Sequence, residues 1–237
     1  MRIVVISDLH ANLEALQVLP RDYDELWILG DLVNYGPNPA EAVEFARTHA
    51  SLIVRGNHDH SVAHGKDPRC SARFRSMAEA TGRFTKSVLS DDQKAFLREL
   101  PTQTERKVDG VRFFACHALP SNPLYEYCPP DSDTWREEVA GISADILLTG
   151  HTHLPFQRRI GSKSVVNPGS LGQPKHGRPE ACFAVWENGR FHLHAAQYAV
   201  EDTVSKIQSL ALPPEVQQDL SAVLRYGGFP SVMHSAH

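Results

Sequence analysis

Five short polar segments carry residues able to do chemistry together: Asp8-x-His10, Gly30-Asp31, Gly56-Asn57-His58-Asp59, His117 and Gly150-His151-x-His153. Between them they offer carboxylate oxygen, imidazole nitrogen and carboxamide oxygen. That mixture of hard and borderline donors suits Mn, Fe, Zn or Co better than Ca or Cu. An Asp-x-His or His-x-His spacing at a strand end lets alternate residues point to the same side, as two ligands of one metal must. Each piece alone is weak. A Gly-Asp pair is commonly a turn or a cap, and Gly-Asn tolerates a left-handed turn. The whole set, in this order and with each member behind an apolar run, is poorly explained by coincidence.

Those apolar runs are the elements that must position the segments. Arg2 to Ser7, Glu25 to Leu29 and Ser51 to Arg55 read as buried strands, while Leu13 to Leu19 and Ala40 to Thr48 carry helical spacing. The result is a βαβαβ start with parallel strands, which present functional loops at their C-terminal ends. Val111 to Cys116 and Ile146 to Thr149 are further buried strands, and they end in the remaining histidines. Asp109-Gly110 and Asn188-Gly189 each sit between alternating apolar runs, the signature of a hairpin. Residues 60–100 hold no strong strand and read as a helical insertion, with helices over Arg69 to Val88 and Asp91 to Leu100 and Ser90 as an N-cap. Glu201 to Leu210 and Pro214 to Leu224 give a helical tail over residues 201–237, whose closing residues His234 to His237 read as loose. No linker marks a boundary, so a single domain over 1–237 is expected.

Composition narrows the partners. A net charge of -4 and a pI near 6.3 give no global attraction to long nucleic acids or an acidic membrane surface. No apolar run reaches the roughly 20 residues needed to cross a bilayer. The four cysteines have no paired metal-ligand spacing and the N-terminus starts a strand, so cytoplasmic thiols are the simplest reading.

Together with the stretches Ser7 to Leu16, Tyr35-Gly36-Pro37-Asn38-Pro39 and Val166-Asn167-Pro168-Gly169-Ser170, these motifs resemble the calcineurin-like metallophosphoesterase superfamily, in its small bacterial and archaeal phosphodiesterase-like branch. The resemblance runs from Arg2 to about Tyr198. It implies an α/β fold with four αββα layers, two mixed sheets face to face with helices outside. It also implies two transition-metal ions, Mn or Fe first and Zn, Ni or Co also fitting. Asp8, His10 and His153 would hold the first ion, and Asn57, His117 and His151 the second. Asp31 would bridge both, and His58 would face the substrate. Two such cations share a water and lower its pKa while clamping the phosphate oxygens, and His58 would stabilise the leaving alkoxide.

The family's protein phosphatases carry Gly-Asp-x-Val-Asp-Arg-Gly where this chain has Gly30-Asp31-Leu32-Val33-Asn34-Tyr35-Gly36. Asn34 can accept a hydrogen bond from imidazole but brings no charge. Tyr35 replaces the phosphate-gripping Arg with a neutral donor and a flat face. Both changes favour a diester or nucleotide substrate over phosphoprotein, with Asn34, Tyr35 and His60 as candidate substrate contacts.

A phosphomonoesterase is the alternative, because the metal core does not fix the ester type. A non-catalytic scaffold is a further one, disfavoured because His58 and every ligand position are filled. Arg69, Arg73, Arg75 and Arg83 make the insertion basic, which suits either a lid over polyphosphate or a solvated helix face. Asn167 to Ser170 reads as a turn, and the resemblance places it near the rim, where it would buttress the metal loop without touching the ions. Gln173, Pro174 and Lys175 are free to touch substrate, although no spacing requires it. Oligomeric state is left open.

Overall fold

The computed structural model describes residues 1–229, so His234 to His237 lie outside the described residues. The expected parallel start is β1 (Ile3–Ile6), β2 (Glu25–Ile28), α1 (Pro39–His49) and β3 (Leu52–Ile53). It is followed by the helices α2 (Asn57–His64), α3 (Arg75–Val88) and α4 (Asp91–Glu99). The second half supplies β4 (Gln103–Val108), β5 (Val111–Cys116), α5 (Thr134–Ala140), β6 (Ile146–Leu148), β7 (Phe156–Ile160), β8 (Lys163–Asn167), β9 (Glu180–Glu187) and β10 (Arg190–Gln197). The chain then runs through α6 (Val200–Ser209) and α7 (Pro214–Tyr226).

Ten strands form two mixed sheets of five, ordered β10-β9-β1-β2-β3 and β4-β5-β6-β8-β7. Strands β1, β2 and β3 are parallel, as are β5, β6 and β8; β9 and β10 continue the first sheet antiparallel, and β4 and β7 flank the second. Both Asp109-Gly110 and Asn188-Gly189 turn hairpins, with φ of 49° and 85° at the first pair and 51° and 77° at the second, the left-handed values such turns need.

Alternation along the strands divides the core. Ile3, Val5, Trp27 and Leu29 meet Phe113, Ile146, Leu148 and Val166 between the sheets. Their neighbours Val4, Ile6, Leu26 and Ile28 face Ala42, Val43, Val62 and Leu97 of the outer helices. Phe114, Leu147 and Val165 pack on Trp135 and Val139 of α5. These are the four layers that the family resemblance implied.

Three boundaries differ from expectation for local reasons. Leu13 to Leu19 is a short 3-10 turn, Glu14–Val18, stopped by Pro20. The helix expected from Arg69 begins at Arg75, because Arg69 adopts φ 54° and donates its N–H to the Asp67 carboxylate in a turn, and a 3-10 turn follows. Asn57 to His64 form α2, with Gly56 as its N-cap, in a stretch with no helix expected before Arg69. Ser90 caps α4 as read, accepting from Gln93 N–H at 3.1 Å. Insertion and tail share a satellite core, in which Met77, Ala78 and Ala80 of α3 pack on Val204, Ile207, Val216 and Leu220 of α6 and α7 and on Tyr35.

Candidate metal centre

The five predicted segments leave the C-terminal ends of β1, β2, β3, β5 and β6 and converge. The loops stay laced together beyond the strands: Asp8 N–H donates to Gly30 O at 3.0 Å, His10 N–H to Asp31 O at 2.9 Å, and Gly150 N–H to His117 O at 2.8 Å. A Cβ on Gly56 would collide with Asp31 Oδ1, and one on Gly150 with Ser7 Oγ, so only glycine permits these approaches.

Strand alternation is not what aims the ligands. Asp8, His10, Asp31, His151 and His153, five of the seven candidate ligands, have left-handed φ between 46° and 65°. Each such residue costs on the order of 1 kcal/mol or more, and clusters of them mark sites where geometry is bought with strain. The Asp-x-His and His-x-His spacings work through tight turns past the strand ends.

All seven side chains are buried. Asp8, His10 and His153 bring one donor atom each within 4.8 Å of one another, and so do Asp8, Asp31 and His117. Asp8 therefore belongs to both groups, a sharing that the resemblance assigned to Asp31 alone. Asp8 Oδ1 lies 3.2 Å from His153 Nε2, Asp31 Oδ2 lies 3.3 Å from His117 Nε2 and 3.7 Å from His10 Nε2, and Asn57 Oδ1 lies 3.0 Å from His117 Nε2. His151 is in neither close group, although its ring centre is 5.0 Å from that of His117.

The far side of each imidazole explains these orientations. Nδ1 of His10, His117 and His153 faces Val33 O at 3.0 Å, Leu29 O at 2.7 Å and Gln173 O at 2.5 Å. A carbonyl only accepts, so each Nδ1 carries the proton and each Nε2 turns toward the carboxylates. His10 Nε2 and His153 Nε2 then stand 3.4 Å apart. Asp8 Oδ1 and His151 Nε2 are buried without a hydrogen-bond partner. Two inward lone pairs and two orphaned donors fit a bound cation, which satisfies them all.

Electrostatics agree. Burial opposes charge on Asp8 and Asp31, yet His153 beside the first and His117 and His58 beside the second hold both well below the usual carboxylate range. Burial pushes His10 and His151 well below the ordinary imidazole value, leaving them neutral and ready to ligate. Burial also opposes charge on His117, but Asp31 outweighs it and lifts the ring to about 9. Where no cation is bound, a proton on His117 does the cation's work.

His58 sits in the first turn of α2, pulled by burial down to about 4. Asn34 Nδ2 lies 3.0 Å from its Nδ1. Donating there, Asn34 fixes the ring proton on Nε2, the reverse of the accepting role read from sequence. Asp59, the last residue of the same motif, is a positioning residue. Its carboxylate receives the N–H groups of Asp31 at 2.8 Å, Leu32 at 2.9 Å, Val33 at 3.3 Å and Gly56 at 3.0 Å, tying the β2 loop to the start of α2. Burial and the adjacent Asp31 push it up to about 7 against those donors. An acidic residue at the third position of a helix is the capping signal that identifies it in sequence. The buttress is present: Asn167 Nδ2 donates to Gly150 O at 2.7 Å, and Ser170 Oγ to Asp8 O at 2.8 Å.

The candidate substrate contacts fall differently. Tyr35 is 3% exposed and hemmed in by His10, His58 and Phe74, so its flat face is covered. The ring of His60 pairs with His64 at 4.5 Å and meets Tyr125 edge-on. The basic residues of the insertion divide: Arg69 covers Tyr125, Arg73 covers Phe229, and Arg75 and Arg83 line a surface cleft with Lys66 and Lys86. The cation at the centre is Lys175. Its Nζ lies 3.3 Å from His153 Nε2 and 4.4 Å above Phe74, and burial lowers it to about 8.

The family model described as the calcineurin-like phosphoesterase superfamily domain matches residues 1–189. The chain belongs to that superfamily. This phosphoesterase is 32% identical over 234 residues to the uncharacterized protein MJ0912 of Methanocaldococcus jannaschii, covering 89% of this chain and 93% of that protein. It is 27% identical over 203 residues to the phosphodiesterase YfcE of Escherichia coli, covering 79% and 88%. Among solved structures, a metallophosphoesterase from Sphaerobacter thermophilus matches with a TM-score of 0.80 at 29% identity, over 94% of this chain and 98% of that one. This phosphoesterase is thus a hydrolase with a buried set of metal-binding candidates at its strand ends. Among the described residues, no helix is long and apolar enough to cross a membrane, and all four cysteines are buried and unpaired.

Proposed function

We propose that this phosphoesterase hydrolyses a phosphodiester or phosphoanhydride bond in a small, nucleotide-like substrate, using two transition-metal ions, Mn or Fe foremost. Asp8, His10 and His153 would hold one ion and Asn57, His117 and His151 the other, with Asp31 a ligand available to both. The observation that carries this reading is the inward turn of the His10, His117 and His153 Nε2 atoms onto two carboxylates. When bound, a pair of neighbouring cations supplies Lewis acidity at phosphorus and lowers the pKa of a shared water toward neutrality.

The chain's own residues do the rest. The two carboxylates offset the charge of the cations and hold their donor atoms in place. His58, neutral and with its proton held on Nε2 by Asn34, donates a hydrogen bond to the departing oxygen, a role worth about 10² to 10⁴ in rate. Asn34 and Tyr35 stand where the protein phosphatases have an acid and an arginine, which moves the preference away from phosphoprotein. The unpaired thiols support a reducing compartment, the cytoplasm.

A panel of monoesters, linear and cyclic diesters and dinucleoside polyphosphates, run on Mn-loaded protein, tests this. Diester or anhydride turnover above monoester turnover is expected. A monoester preference of about tenfold or more in kcat/KM, 1.4 kcal/mol in transition-state binding, overturns the ester class.

A further inference from the structure

Tyr127 lies in the loop between β5 and α5, with its ring centre 4.0 Å from that of His151 and the planes 32° apart. It is 42% exposed. The other well-exposed aromatic among the described residues, Tyr226, ends α7 and touches no candidate ligand. Lys175 comes from the loop after Ser170 and sets its ammonium against His153. His151 and His153 are two residues apart on one turn. A free aromatic ring therefore adjoins one end of the ligand turn and a primary cation the other.

That pairing has a chemical complement. A flat ring with one face on His151 and much of its surface open to solvent can stack with a planar π system, the contact by which aromatic side chains hold nucleobases. A compact ammonium binds phosphate oxygen as a point charge. The protein phosphatases' arginine position holds Tyr35, which is buried, so Lys175 is the cation available to an anionic group beside the carboxylates. We propose that Tyr127 and Lys175 select a nucleoside phosphate, the base stacking on Tyr127 and a phosphate oxygen pairing with Lys175. The proposal rests on the phosphoesterase reading above and names its substrate class.

The test is direct binding. Adenosine 5′-monophosphate and ribose 5-phosphate share the sugar and the phosphate monoester and differ in the base, so calorimetric titration of each into Mn-loaded protein isolates the base's contribution. The nucleotide is expected to bind about tenfold or more tighter, and Tyr127→Leu to shrink that ratio to about twofold while Tyr127→Phe preserves it. Lys175→Met is expected to weaken both ligands by about tenfold and leave their ratio intact, with Lys175→Arg recovering most of the loss.

Equal wild-type affinities overturn the proposal. So does a parallel loss of both ligands in Tyr127→Leu, which would make Tyr127 a brace for His151. Unchanged binding in Lys175→Met, or no binding of either ligand by a protein that hydrolyses bis(p-nitrophenyl) phosphate, overturns it as well. Nucleotide-selective binding without hydrolysis of any phosphate ester would instead remove the catalytic reading and leave the pocket assignment standing.

Discussion

His10 Nε2 and His153 Nε2 face each other at 3.4 Å, and each ring has its proton fixed on the opposite nitrogen by a backbone carbonyl. Two neutral imidazoles in that posture present lone pair to lone pair, an arrangement that a cation stabilises. Mn binding is therefore expected to raise the unfolding midpoint, by about 2.7 kcal/mol at a hundredfold excess over Kd, and chelation to reverse it. Because His117 is lifted to about 9, binding also expels its proton. Calorimetry in buffers of different ionisation enthalpy reads that release, and an enthalpy that does not vary with buffer would contradict it.

His58→Ala is expected to keep its metal and lose about 10² to 10⁴ in kcat. Asn34→Ala, which frees the His58 ring to take the other tautomer, is expected to fall between wild type and His58→Ala. Metal analysis of the purified variants separates the two outcomes: loss of metal in His58→Ala would make it a ligand or a scaffold element.

Asp59 joins two loops through four backbone N–H groups. Asp59→Ala leaves those buried donors without an acceptor, each costing about 1 to 3 kcal/mol where water cannot reach it. Global unfolding in urea is expected to shift by more than about 3 kcal/mol, with metal affinity falling in parallel because the Asp31 backbone is released. A shift below about 1 kcal/mol would show that water replaces the carboxylate.

Acid should destabilise the protein in the presence of chelator. Burial holds His10, His58, His151 and His153 below their ordinary value, so between about pH 4 and 6.5 the unfolded chain binds more protons at these four sites. Stability contributed by such groups is present above pH 6.5 and is lost as pH falls. Asp59, lifted to about 7, works in the opposite direction over much of the same window. Four sites outweigh one, and each proton is worth up to about 1.4 kcal/mol per pH unit. Urea midpoints in chelator are expected to fall steadily from pH 6.5 to 4.5; a flat profile would mean that the histidines reach solvent.

Much of this was legible in the sequence, because the signals are local. Apolar runs marked β1, β2, β3, β5 and β6, Asp-Gly and Asn-Gly marked two hairpins, and Ser90 marked the start of a helix, whereas β7 and β8 fall outside every expected element. The ligand types were visible because each follows such a run, and parallel strands bring their ends to one rim whatever lies between. Tertiary structure decided what depends on approach between distant segments. The left-handed turn at Asp8 and His10 is one against which Gly36, Gly150 and Gly172 let neighbouring loops crowd, a condition no single window contains. Tyr35 lost its free face because α3 with Phe74 folds over it. Asp59, Lys175 and Tyr127 acquired their places by hydrogen bonds, charge and ring contact to residues from 3 to 101 positions away. Residue type and period are written along the chain; which carbonyl turns an imidazole, and which side chain covers a ring, exists only once the sheets have packed.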